Sequence, residues 1–215
     1  VTDTPASIGL NLVTASVQQL VRERAPWIGR QLQPRHCGGI EATVTAGFRW
    51  SADNGCFHGF DEFACRQMWA RLAGWPGCVF VVVPDRVADH AGTLALWERW
   101  HLTVRDETGG QPLAFVAQNG AQVDSIPWEQ LDCLFIGGDT AWKLGPQASE
   151  LSWAAHERGV WVHMGRVNSA RRIARALGSY CDSFDGTKWS RWSAAHRRTA
   201  DATQTSPVQL MVPGT

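Results

Sequence analysis

Apolar residues along the chain gather into short unbroken runs: CVFVVV at 78–83, LAFVA at 113–117, LDCLFI at 131–136 and VWVHM at 160–164. Continuous rather than alternating apolarity predicts strands covered on both faces, as in a parallel sheet. Between these runs the pattern takes the helical period at 60–72, 88–105, 146–158 and 169–177. Pro146 suits a first helical turn, Gly178 a helix C-terminal end, and Asn168 or Ser169 an N-cap. Residues 48–52 read as a further strand, and 1–33 as a strand and one helix. Strand–helix alternation at this spacing predicts an α/β protein. The candidates are a TIM-barrel-like (β/α) barrel, compact and either complete or short of a strand, and an open doubly wound sheet. Residues 1–199 read as one domain, and 200–215, rich in Thr, Gln and Pro, as a tail.

Each strand is followed by a polar or glycine element. Asp53-Asn54-Gly55 follows the 48–52 strand, Pro84-Asp85 follows CVFVVV, and Gln118-Asn119-Gly120 follows LAFVA. LDCLFI runs into Gly137-Gly138, VWVHM into Gly165-Arg166, and YCDSF into Asp185-Gly186. In a β/α barrel these ends form one rim, where such folds build their active sites. Any single Asp-Gly or Gly-Gly is ordinary turn punctuation; the six in succession converge on one side.

Composition alters this picture in two places. The chain has 215 residues, 44% of them apolar, which is enough for a full core, and no net formal charge. Its basic residues are unevenly spread: 158–198 carries nine basic and two acidic side chains, a balance of +7 on an otherwise acidic body. Such a quarter is an oriented anion-binding face or a solvated helix surface. Cys37, Cys56, Cys65, Cys78, Cys133 and Cys181 lack CxxC or CxC spacing, so no metal site is expected. With no membrane-spanning run or leader in view, they read as reduced thiols of a cytoplasmic protein. Most of the 12 tryptophans belong to packing, and a few in the basic quarter are placed to stack on bases.

ADNGCF at 52–57, VPD at 83–85, AQNG at 117–120, FIGG at 135–138 and DSFDGT at 182–187 resemble, in that order, motifs of the tRNA-guanine transglycosylases. The resemblance spans about residues 49–188. It implies exchange of guanine in a nucleic acid for a 7-deazaguanine base through a covalent aspartyl-sugar intermediate, with no cofactor. By that likeness Asp185 is the nucleophile and Asp53 the second carboxylate, which protonates the departing base and deprotonates the incoming one. Asp85 is implied to accept hydrogen bonds from the base edge, with Gln118 and the backbone of Gly137 and Gly138 completing its pocket and Phe57 stacking. The family's tRNA enzymes carry a C-terminal zinc subdomain, and no cysteine follows Asp185 here. In length and lack of zinc ligands the chain looks most like the short branch, found mainly in bacteriophages, that places bases such as preQ0 into DNA. DNA is therefore the expected partner, ahead of tRNA.

Some residues stand apart from the motifs. Asp182 competes with Asp185 as nucleophile, but strand alternation sends the two to opposite faces, which favours Asp185. His163 ends its strand on the same rim and reads as a substrate neighbour or a packed hydrogen-bonder. Arg166, Arg171, Arg172 and Arg175, with Lys188 and Arg191 beyond the nucleophile, are the candidate nucleic-acid contacts. Two rival functions share the rim: an N-glycosidase or base-exchange enzyme for free nucleosides, and a binding module without chemistry.

Overall fold

The computed structural model describes residues 9–13 and 28–186. Eight strands run through it: β1 (Gly9–Val13), β2 (Ile28–Leu32), β3 (Trp50–Ala52), β4 (Cys78–Val82), β5 (Leu113–Ala117), β6 (Cys133–Ile136), β7 (Trp161–Met164) and β8 (Ser183–Asp185). Each is parallel to the next, and β8 pairs back onto β1 through Leu10 and Phe184, so the ring closes. The fold is the complete β/α barrel, and the open doubly wound sheet is excluded. The opening segment holds two strands, not the one expected from its weak apolar pattern.

Six helices are described: α1 (Ile40–Thr45), α2 (Glu62–Leu72), α3 (His90–Glu107), α4 (Thr140–Lys143), α5 (Pro146–Glu157) and α6 (Ala170–Gly178). The four longer ones are those the helical period predicts, with ends shifted by a residue or two. Asp61, Asp89, Asp139 and Ser169 act as N-caps, each accepting a main-chain N–H of its own first turn. Gly178 is the last residue of α6 rather than its cap. The chain leaves the helix through Ser179, and Tyr180 takes the left-handed turn at φ 56°. Between β5 and β6 the connection holds only a single 3₁₀ turn, Val123–Ser125.

Two apolar layers follow from the period of the strands. Leu113, Phe115, Ala117, Leu134, Ile136, Val162, Met164 and Phe184 point outward into the main core, where Trp69, Trp97, Trp100 and the helices cover them. Phe80, Val82, Ala114, Val116 and Cys133 point inward and plug the barrel, with Phe135 and Trp161 against them. Because outward positions alternate with inward ones, Ser183 and Asp185 face the axis while Asp182 does not. Asp182 instead accepts the N–H of Val162 at 2.8 Å, tying the start of β8 to β7.

Candidate active site

Above the apolar plug the C-terminal strand ends surround an open cleft of about 520 Å³. Asp53, Asp85, Gln118, Gly137, Gly138, Arg166 and Asp185 line it, and so does Lys143, which the sequence reading did not single out. Six different strand ends supply these groups, so the rim pattern converges on one chamber.

Asp85 is clamped from two sides. One carboxylate oxygen accepts Nδ2–H of Asn54 at 2.7 Å, and the other accepts Nε2–H of Gln118 at 2.6 Å. Asn54 also donates to the carbonyl of Val83, and its own oxygen receives the N–H of Cys56. Burial nonetheless holds the Asp85 carboxyl above the ordinary carboxylate range. Gln118 spends its oxygen on the main-chain N–H groups of Ala88 and Gly138, at 2.9 and 2.8 Å. It is thus a brace between three loops, with both ends of its amide in use. The expected main-chain donors are occupied too: Gly137 N–H goes to Ala117 and Gly138 N–H to Gln118. What the glycines provide is space. A Cβ on Gly137 would meet Val116 Cγ1 at 2.6 Å, and one on Gly138, at φ 67°, would meet Trp142 at 2.4 Å.

Asp185 is 6% exposed and held by two donors. The Arg166 N–H reaches one oxygen at 3.0 Å and His163 Nε2 reaches the other at 3.1 Å. His163 has no exposed surface and stands behind Asp185, wedged between the rings of Phe80 and Phe135. It meets the cleft through the carboxylate rather than as a group lining the cavity, and burial pulls its pKa below the usual value. Asp53 follows β3, and its carboxylate accepts a 3.4 Å hydrogen bond from Gln33. Burial, reinforced by the nearby negative charges of Asp185 and Asp85, raises its pKa to about 6. Two carboxylates in one cleft with unlike surroundings are a basis for division of labour between nucleophile and acid/base.

At the mouth, Phe57 is 61% exposed and carries the Arg166 guanidinium over its ring at 5.1 Å. Arg166 has left-handed backbone (φ 58°), which turns its N–H toward Asp185 while its side chain donates to the Gly138 carbonyl at 2.5 Å. The arginines of α6 divide. Arg171 is exposed, as a polymer contact needs. Arg172 donates to the Arg166 carbonyl at 3.1 Å. Arg175 departs from expectation: it binds the Gly145 carbonyl and Ser149 Oγ at the start of α5, so it joins two helices instead of facing solvent. Lys188 and Arg191 lie outside the described residues. Among the described residues no cluster of His, Cys, Asp and Glu could hold a metal ion, and the six cysteines are free thiols.

The chain is therefore a closed β/α barrel with a carboxylate-rich cleft at its C-terminal rim. At the level of fold it is similar to a solved structure described as an enolase protein from the environmental genome shotgun sequencing of the Sargasso Sea, with a TM-score of 0.53 and 11% identity. The match covers 84% of this chain and 54% of the enolase, so the chain spans about half the length of that neighbour. At this identity the likeness extends to the barrel alone. No family model matches the sequence, and no curated protein matches it. No described helix is long and apolar enough to cross a membrane.

Proposed function

We propose that the protein is a base-exchange glycosyltransferase that replaces guanine in DNA with a 7-deazaguanine such as preQ0. The observation that carries this reading is the pairing of two unlike carboxylates in one cleft. Asp185 is oriented by the Arg166 and His163 N–H groups, and Asp53 keeps its proton up to about pH 6. Asp185 attacks C1′ of the target nucleotide as the C1′–N9 bond breaks, and Asp53 gives its proton to the departing guanine. The sugar is then held as an ester on Asp185. The incoming base loses its N9 proton to Asp53, its nitrogen bonds to C1′, and the ester electrons return to Asp185. Asp85, fixed by Asn54 and Gln118, accepts hydrogen bonds from the Watson–Crick edge of the base. A target in duplex DNA leaves the stack first, at a cost of a few kcal/mol. Phe57 and Arg166 at the mouth offer a stacking surface that offsets it.

The motif order shared with the tRNA-guanine transglycosylases supports the same chemistry. The test is mass spectrometry of nucleosides digested from DNA, and in parallel from tRNA, after incubation with the protein and preQ0. A 7-deaza deoxynucleoside formed by the wild type and absent with Asp185→Ala is the expected result. Modified tRNA alone would move the substrate to RNA. Base release without exchange would make the protein an N-glycosidase, and binding without turnover would make it a binding module.

A further inference from the structure

Among 20 basic residues the chain uses only two lysines, Lys143 and Lys188. Among the described residues, Lys143 enters the cleft. It is 3% exposed, and its Nζ donates to the Gly165 carbonyl at 2.5 Å. Gly165 in turn lies against Asp185: a Cβ there would stand 3.3 Å from Asp185 Oδ2. The short α4 that carries Lys143 is aimed by a reciprocal clasp, in which Asn119 donates to the Asp139 carboxylate at 2.7 Å and accepts the Asp139 N–H at 3.0 Å. Asp139 also caps α4 through the N–H of Trp142. The loops after β5 and β6 are thereby locked together, and their product is a buried amine pointed at the nucleophile's neighbourhood.

We infer that Lys143 is a positioning residue for Asp185, whose ammonium form stabilises the carboxylate released when the aspartyl-sugar ester is broken. This rests on the base-exchange reading given above. In that step the C1′–Oδ bond breaks with its electron pair passing to Asp185, N9 of the incoming base bonds to C1′, and the N9 proton passes to Asp53. Negative charge thus develops at Asp185 beside Lys143.

The groups facing Lys143 act in both directions. Burial lowers its pKa to about 7, helped by Arg166 and by Arg172 of α6, while Asp185 on β8 and its own N-cap Asp139 raise it. His163, behind Asp185, feels the lysine charge in turn.

Labelling the protein with ¹³Cε-lysine yields two signals, and Lys143→Met identifies the one from Lys143. That signal is expected to titrate near pH 7 and to move to lower pH in Asp185→Asn, because the anion that holds the proton is gone. Titration in the ordinary lysine range, or no movement in Asp185→Asn, overturns the inference. In the DNA exchange assay Lys143→Met should lower kcat by roughly 10–100-fold with KM for DNA unchanged, and ethylamine should restore part of the activity of Lys143→Ala. A raised KM with unchanged kcat would make Lys143 a substrate-binding group and overturn its role. If the wild type exchanges no base, the proposed reaction falls, while the titration still judges the Lys143–Asp185 pair.

Discussion

His163 Nε2 lies 3.1 Å from Asp185 Oδ2, inside the barrel and out of reach of solvent. Its other nitrogen, Nδ1, is 2.7 Å from Ser183 Oγ, which also accepts the indole N–H of Trp161 at 2.8 Å. The Asp185 carboxylate can only accept, so Nε2 carries the proton and Nδ1 of the neutral ring accepts from the Ser183 hydroxyl. The imidazole is then the neutral Nε2–H tautomer, donating to Asp185. ¹⁵N spectra of the imidazole should show this tautomer at neutral pH and its protonation at a pH below the ordinary histidine value, since burial lowers the pKa. His163→Phe should reduce kcat by about 10–100-fold, with little change in KM, by freeing one side of the nucleophile. An unchanged kcat would remove His163 from the machinery.

Asp53 carries a pH signature. Between its ordinary pKa of 3.8 and its folded value of about 6, the folded chain holds a proton that the unfolded chain has lost. Stability contributed by the protonated carboxyl is therefore full below pH 3.8 and is lost as pH rises through about 6. Asp53→Asn should raise stability at pH 7 by roughly 1–3 kcal/mol, have little effect near pH 3.5, and abolish exchange. Denaturant melts at the two pH values check the sign.

Gly137→Ala probes the space beside the base pocket. Its new methyl would lie 2.6 Å from Val116 Cγ1 and 3.0 Å from Gln118 Nε2, so either the plug or the Asp85 clamp must move. Overpacking of this kind costs about 1–3 kcal/mol. Affinity for the free 7-deaza base should fall at least as steeply, measured by calorimetry against the wild type.

The arginines of α6 should separate by assay. Arg175→Ala removes hydrogen bonds to Gly145 and Ser149 and is expected to destabilise the fold by roughly 1–3 kcal/mol. Arg171→Ala should leave the melting temperature unchanged and lower the salt slope of DNA binding by about 1, as the loss of one phosphate contact does. The reverse pattern would place the DNA on the other side of α6.

Much of this architecture was legible because burial on both faces leaves unbroken apolar runs, as at β4 to β7, and because strand ends of a barrel share one rim. Asp53, Asp85, Gln118 and Asp185 were visible for that reason. Period alone also separated Asp182 from Asp185. Lys143 was not visible, since a lysine four residues past an aspartate reads as the exposed end of a turn; its rarity beside so many arginines was the available signal. Arg175 misled in the opposite sense, because a helical arginine bound to a carbonyl and a hydroxyl two elements away has the same local sequence as a solvated one. The role of Gln118 as a three-loop brace, and the occupied N–H groups of the glycine pair, depend on contacts 20 to 33 residues apart that no local pattern encodes.

Closure of the ring has a consequence for how the cleft is assembled. Asp185 sits on the strand that seals the barrel, docked between β7 and β1. Asp53, Asp85 and Gln118 follow β3, β4 and β5, whereas Asp185 comes into register only where the last strand meets the first. Under the proposed base exchange, the reaction is thereby tied by topology to the finished ring.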